Sequence, residues 1–255
     1  MVLAVPETDH PMIGEMRGLG IPVETFRMVP TWRRLVDLPR GLWVRRLILE
    51  HDIDIVHTHI FNADAMGWMG ARLTGRPVVT TLHGPTINVH MQRSLPVRAF
   101  LLCMSWLLRH MDARIAISPF VQRYVSVDRG LPLESIEVVY NASDVARHAI
   151  EIDEPGLRRS LRVPLDAPIV TAVGVLNEQK RPMLFLEAAE RIVRSRPDCH
   201  FLLIGHGPLQ EALRRRVESA GLAESVHLLG HRSDVPEILR LTDVLAFTPR
   251  DEGFG

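Results

Sequence analysis

The sequence is poor in the residue types that would place it quickly in a special class. Its two cysteines, Cys103 and Cys199, stand far apart and fit neither a C-x-x-C pair nor a zinc spacing, which excludes a disulfide framework and suits a reducing compartment. Both are expected to be small buried hydrophobes. Aromatic residues make up 5% of the 255 residues, and basic and acidic residues balance at 30 each. Neither a basic field nor arginine runs interleaved with aromatics therefore point to nucleic acid. The longest apolar run, residues 99–108, is closed off by Arg98 and Arg109 and is too short to span a bilayer. The opening Met1-Val2-Leu3-Ala4-Val5 meets Pro6 and Glu7 too soon to read as a signal peptide. Lysine is all but missing: Lys180 is the sole example, and arginine supplies the rest of the fixed positive charge.

What is present is an ordinary globular composition, 46% hydrophobic and 24% charged, sufficient for one large domain or two of moderate size. Strand and helix patterns alternate. In the first half, strands are expected at residues 2–5, 23–26, 54–59, 77–82, 113–117 and 136–140, and helices at 11–18, 63–73 and 97–111, with Ser118 capping another that runs to Tyr124. Residues 32–51 read as an amphipathic helical region with a basic, solvated face, interrupted at Pro39-Arg40-Gly41. Residues 141–164 lack a strand pattern and suit a linker with one short helix. A second series follows, with strands at 169–173, 201–204, 226–229 and 244–247 and helices at 183–194, 209–220 and 235–241. The alternation predicts an α/β protein of two Rossmann-like, doubly wound halves, residues 1–146 and 147–255.

Parallel sheets place ligands beyond the C-terminal ends of their strands, and chemistry-bearing residues gather there. Gly174-Val175-Leu176-Asn177-Glu178-Gln179-Lys180-Arg181 joins the first strand of the second half to a helix, so a flexible turn and two cations converge where a diphosphate could bind. It matches neither G-x-G-x-x-G nor G-x-x-x-x-G-K-[ST], which removes support from dinucleotide and P-loop readings. Gly205-His206-Gly207, Gly230-His231-Arg232 and Glu252-Gly253-Phe254-Gly255 end the next three strands. In the first half, His57 and His59 share one side of a strand and His83-Gly84 follows the next. Two functional readings stay open for them: a metal site, for which no acid or cysteine of evident spacing completes the set, and a neutral His83 bonding a substrate hydroxyl.

The order of these motifs resembles the retaining, GT-B-fold glycosyltransferases of family 4, the group 1 transferases. The resemblance rests on Asp54-Ile-Val-His-Thr-His59, Thr81-Leu-His-Gly84, Ile136-Glu-Val-Val-Tyr-Asn141 with Asp144, Val173-Gly-Val-Leu176 with Lys180, Leu203-Ile-Gly-His-Gly-Pro208, Leu229-Gly230, and Asp243-Val244 before Glu252-Gly-Phe-Gly255. It implies two domains facing across a cleft, with a UDP- or GDP-sugar held by the second half and an acceptor by the first. Lys180 matches the lysine that binds the donor diphosphate, and Glu252 matches the first acid of an E-x7-E motif that holds the sugar hydroxyls. His83 matches the histidine that approaches the sugar, giving His83, Lys180 and Glu252 as catalytic candidates. Gly174, Arg181, Gly205, Gly207, His231, Arg232, Gly253, Phe254 and Gly255 complete the donor side; His59, His83 and Gly84 form the acceptor side. No metal and no cofactor are implied, the sugar nucleotide being a substrate.

Departures accompany the match. Val175 stands where the family usually has an arginine that pairs with the lysine, with Arg181 as a substitute nearby. Ala142 and Ser143 replace a Gly and an aliphatic residue, and Pro249 replaces a common serine. The second acid of the motif would fall at position 260, and the family's first strand and glycine loop would precede Met1, so both halves are expected to be incomplete, as in a fragment, with an open apolar sheet edge after Phe247. The expected activity is sugar transfer with retention. The alternatives are a truncated remnant that at most binds nucleotide or a partner, and a GT-B sugar-nucleotide epimerase. The basic helices suggest a lipid-linked acceptor or cell-envelope glycan precursor at the cytoplasmic membrane face, with peripheral contact only.

Overall fold

The computed structural model describes residues 1–7, 11–27, 38–84, 95–143, 151–250 and 252–253. Contacts divide the chain into two compact units, Met1–Asn141 and Ala142–Gly253. The expected boundary at 146 falls within residues 144–150, outside the described residues.

The first unit contains β1 (Leu3–Pro6), α1 (Pro11–Gly18), β2 (Val23–Phe26), α2 (Leu38–Glu50), β3 (Val56–His59), α3 (Phe61–Thr74), β4 (Val78–Leu82), α4 (Leu95–Arg109), β5 (Ala113–Ala116), α5 (Pro119–Arg129) and β6 (Glu137–Val138). All pairings are parallel, but they form two sheets: β1-β2, and β3-β4-β5-β6 in sequence order. An apolar cavity of about 450 Å³, lined by residues of β1 and β3 together with Val44, Leu47, Ile48 and Met66, lies along the two strands. Among the described residues no ladder joins β1 to β3, so the half is not one continuous sheet.

Two local expectations need correction. Pro39-Arg40-Gly41 does not interrupt a helix but lies in the opening turns of α2; a first-turn proline loses no helical bond because its N–H would have no intrahelical partner. Gly41 is accommodated because a Cβ there would meet Met69 of α3 at 2.1–2.9 Å, so the two helices approach closely at that point. Cys103 is not buried: it lies on the solvent face of α4, whereas Cys199 is buried as expected. The cap at Ser118 is as read, its hydroxyl accepting from Val121 N at 3.2 Å, and Gly130 ends α5 beyond Tyr124.

The second unit runs α6 (Glu154–Ser160), β7 (Ile169–Val173), α7 (Pro182–Val193), β8 (His200–Ile204), α8 (Gln210–Ser219), β9 (Val226–Gly230), α9 (Val235–Arg240) and β10 (Val244–Leu245). Its sheet is parallel with order β10-β7-β8-β9. β8 is buried along its whole length, because helices cover both faces of a parallel sheet. Phe185, Leu186, Phe201, Leu203 and Leu213 fill one side; Leu161, Ile169, Leu202, Ile204 and Ile238 fill the other. β10 is shorter than expected, yet Ala246 N still donates to Thr171 O at 2.7 Å. Asp243 ties its start to β7: Ile169 N donates to the carboxylate at 2.7 Å, and Asp243 N donates to Ile169 O at 3.0 Å. This edge is apolar and exposed at Val244, Leu245 and Phe247.

Candidate functional site

The strand order of the second unit reverses at β7. Successive strands β7, β8 and β9 step one way, and β10 returns to the opposite side of β7. The loops after β7 and β10 thus leave adjacent strand ends at the point where the strand order reverses, which is where open α/β sheets bind ligands. Lys180, at the end of the β7 loop, reaches the Glu252 carboxylate beyond β10, and Lys180 Nζ donates to it. Side-chain and backbone hydrogen bonds hold both loops in place: Lys180 N donates to Asn177 Oδ1 at 3.0 Å, Thr248 Oγ1 donates to Lys180 O at 2.9 Å, and Arg250 N donates to Gln179 O at 2.9 Å. Gly174, Val175, Lys180, Phe247, Thr248 and Pro249 line a cavity of about 20 Å³ beside this pair.

The glycines of the β8 loop have a packing role that is visible only in three dimensions. A Cβ on Gly205, whose φ is +140°, would lie 1.8 Å from Gly174 O, and one on Gly207 would lie 2.6–2.8 Å from the backbone of Leu176. The two loops interlock through Leu176 N to His206 O at 3.1 Å and Leu209 N to Leu176 O at 2.9 Å. Gly205 N also donates to Gly230 O at 2.8 Å, which joins the loop after β9 to the same edge. Gly174, Gly205, Gly207 and Gly230 thus form one continuous backbone rim.

The remaining donor-side candidates are placed unequally. Arg181 is exposed, precedes α7 and adopts a left-handed φ of +50°. Arg232 is engaged by Asp234 in a two-pronged pair, at 2.8 Å from Nε and 2.5 Å from Nη2. That pair holds the Asp234 carboxyl below the usual carboxylate range, the hydrogen bond being the main cause. His231 is exposed, and Gly253 is buried beside Glu252. Phe254 and Gly255 lie outside the described residues.

In the first unit, the ends of β3 and β4 bring three imidazoles together. His59 Nδ1 and His83 Nε2 are 3.0 Å apart, and His57 Nε2 bonds Thr81 Oγ1 at 2.8 Å. The His57 and His59 rings lie 4.4 Å apart. Burial, and next the neighbouring histidines, lower the pKa of both His59 and His83, which favours neutral rings. Gly84 forms the bend after His83. Among the described residues no group of three or more His, Cys, Asp and Glu is placed to hold a metal. His59 and His83 instead use ring nitrogens on each other.

Beneath them sits a residue that sequence reasoning missed. Asp64, in the first turn of α3, is 1% exposed and accepts from Thr58 Oγ1 at 2.6 Å and Thr80 Oγ1 at 2.8 Å. It therefore bolts β3 to β4 at positions adjacent to His57, His59 and Thr81. Burial raises its carboxyl to about 6, against the opposing pull of the two hydroxyls. The available signal was an acid in the first turn of a helix directly after a strand with threonine near its end.

Residues 2–147 match the family model Glycosyltransferase Family 4, and residues 153–255 match Glycosyl transferases group 1. The chain is 30% identical, over 97% of its length, to UDP-Gal:alpha-D-GlcNAc-diphosphoundecaprenol alpha-1,3-galactosyltransferase of Escherichia coli, and spans 64% of that protein. It is 26% identical over 96% of its length to alpha-D-kanosaminyltransferase of Streptomyces kanamyceticus, spanning 75% of it. Among solved structures, Anabaena HepE in complex with UDP-glucose superposes with a TM-score of 0.78, covering 98% of this chain and 74% of that one at 20% identity. That likeness establishes the fold as that of the GT-B glycosyltransferases.

Proposed function

The chain belongs to glycosyltransferase family 4, with a second half of the group 1 type, and from that premise we propose that it moves a sugar from a nucleoside-diphosphate donor to an acceptor hydroxyl with retention of anomeric configuration. The observation that carries this reading is the meeting of Lys180 and Glu252 at the point where the strand order of the second sheet reverses. A fixed cation stabilises negative charge as it grows on a departing diphosphate. Glu252 accepts from sugar hydroxyls, which places the sugar relative to that cation. On this reading Lys180 does the electrostatic work, and the transfer is expected to proceed unchanged in a chelator.

The relatives guide the choice of substrates. The E. coli protein is named for a UDP-sugar and a diphosphoundecaprenol-linked acceptor, so a UDP-hexose and a polyprenyl-diphosphate-linked sugar are the first pair to try. No helix among the described residues is long and apolar enough to cross a membrane. The reading places the meeting with a lipid-linked acceptor at the cytoplasmic membrane face, by peripheral contact.

The test has two steps. Calorimetric titration with UDP and GDP measures nucleotide binding, and radiolabelled UDP-hexoses with a prenyl-diphosphate-GlcNAc acceptor measure transfer. The anomeric coupling constant of the product then reports retention. Nucleotide binding without turnover on any donor would leave only the binding role, and binding of neither nucleotide would sink the reading.

A further inference from the structure

His83 has two ring nitrogens, and one of them is already spoken for. We propose that His59 is a positioning residue that accepts the Nε2–H of His83 and so leaves His83 Nδ1 as a bare acceptor, selecting a hydroxyl rather than an anion as its ligand. The inference rests on the reading of His83 as a substrate-binding group and assigns that group its hydrogen-bond polarity.

The geometry leaves two arrangements. With 3.0 Å between His59 Nδ1 and His83 Nε2, neutral rings must hold one proton between those atoms. If His59 donated, both rings would carry their proton on Nδ1. If His83 donates, both carry it on Nε2, the form that neutral imidazole prefers in water. Burial opposes the charged state of each ring, so a third arrangement with two protons is disfavoured.

His59 is itself held. Its ring packs on that of His57, whose Nε2 is fixed by Thr81 Oγ1, and Thr81 lies opposite His59 in the β3–β4 register. Asp64 ties the intervening Thr58 to Thr80. The ring that sets the polarity of His83 is thereby anchored from both strands.

The consequence is chemical selectivity. A bare ring nitrogen attracts an O–H and repels phosphate or carboxylate oxygen, so His83 would read a sugar or alcohol hydroxyl. Long-range nitrogen–proton NMR on the ¹⁵N-labelled chain without ligand, at pH 8, reports each histidine's tautomer. His83 is expected in the Nε2–H form in the native chain. In His59→Phe, whose fold is checked from its amide spectrum, the shift difference between the two ring nitrogens of His83 is expected to shrink measurably, from that of a single tautomer to that of free neutral imidazole, in which a minor Nδ1–H form is mixed into the Nε2–H form. His59→Asn, with an amide oxygen able to accept, should restore it. An Nδ1–H His83 in the native chain, or an unchanged Nε2–H form in folded His59→Phe, would overturn the proposal; should His59→Phe unfold, the native tautomer and His59→Asn decide. Because no substrate is present, a chain that never transfers sugar still answers the question, and an active chain with the opposite tautomer sinks this inference alone.

Discussion

Lys180 and Glu252, 72 residues apart, form an ion pair at the C-terminal edge of the second sheet. Each side chain keeps about a quarter to a third of its surface in solvent, 30% and 25%, so the pair is accessible and can be exchanged for a ligand. A donor diphosphate would compete with Glu252 for the ammonium, and sugar hydroxyls would compete with Lys180 for the carboxylate. The two substitutions should therefore act in opposite directions on nucleotide binding. Lys180→Ala is expected to weaken UDP about tenfold or more, the scale of a lost charge-assisted bond. Glu252→Gln should leave UDP as tight as in the parent or tighter, while reducing sugar transfer. Calorimetry separates these outcomes, and a Glu252→Gln chain that loses UDP as fully as Lys180→Ala would contradict the competition.

Asp64 should make the first unit unusually tolerant of mild acid. Its carboxyl is raised from 3.8 to about 6 by burial, so its contribution to stability is complete below the unfolded value and is lost as pH rises through about 6. A rise of that size is equivalent to about 3 kcal/mol between the folded and unfolded carboxyl. All four tryptophans fall within residues 1–141, so fluorescence-monitored urea unfolding follows this unit. Between pH 7.5 and 4 the parent should gain about 2–3 kcal/mol relative to Asp64→Asn. Parallel pH profiles would show that Asp64 does not titrate as its burial implies.

Gly205→Ala tests the interlocked rim. The new Cβ would fall on Gly174 O and would have to adopt a φ of +140°, combining overpacking with backbone strain, about 2–4 kcal/mol together. Thermal unfolding of the second unit should drop, and UDP binding should weaken because the Gly174 loop is displaced. A chain of parental stability would mean that the loops can separate freely.

At the other end of the same sheet, His200 Nδ1 and His227 Nε2 lie 2.9 Å apart with the rings stacked. Burial lowers both pKa values, His227 being lowered further by His200. Groups of this kind give stability above their unfolded value near 6.5 that is lost as pH falls through the folded value. Hydrogen exchange at β8 and β9 should therefore slow less from pH 7 to 5 than its intrinsic base-catalysed dependence requires, an excess that reads as lost protection. In His227→Phe that excess should shrink, and an undiminished excess would assign the effect elsewhere.

The strands and helices were readable because apolar periodicity and capping residues act locally, as at Ser118 and in the uninterrupted β8. Pro39 misled because a proline in the first turn and a proline in mid-helix look alike until the helix start is known. Cys103 misled because α4 is apolar around much of its circumference, and only its neighbours decide which face is covered. Asp64 went unnoticed because its partners Thr58 and Thr80 sit on two strands whose side-by-side pairing cannot be inferred from spacing.

The sequence by itself determined the alternation of strands and helices, the placement of Lys180, Glu252 and the glycines at strand ends, and membership of the family, since these depend on local order along the chain. Tertiary structure decided which of those ends meet. Putting β10 beside β7 joins Lys180 to Glu252, and putting β3 beside β4 joins His59 to His83. Both pairings arise from strand order and register, and these are set by the burial of whole sheet faces and not by any neighbouring residues in sequence.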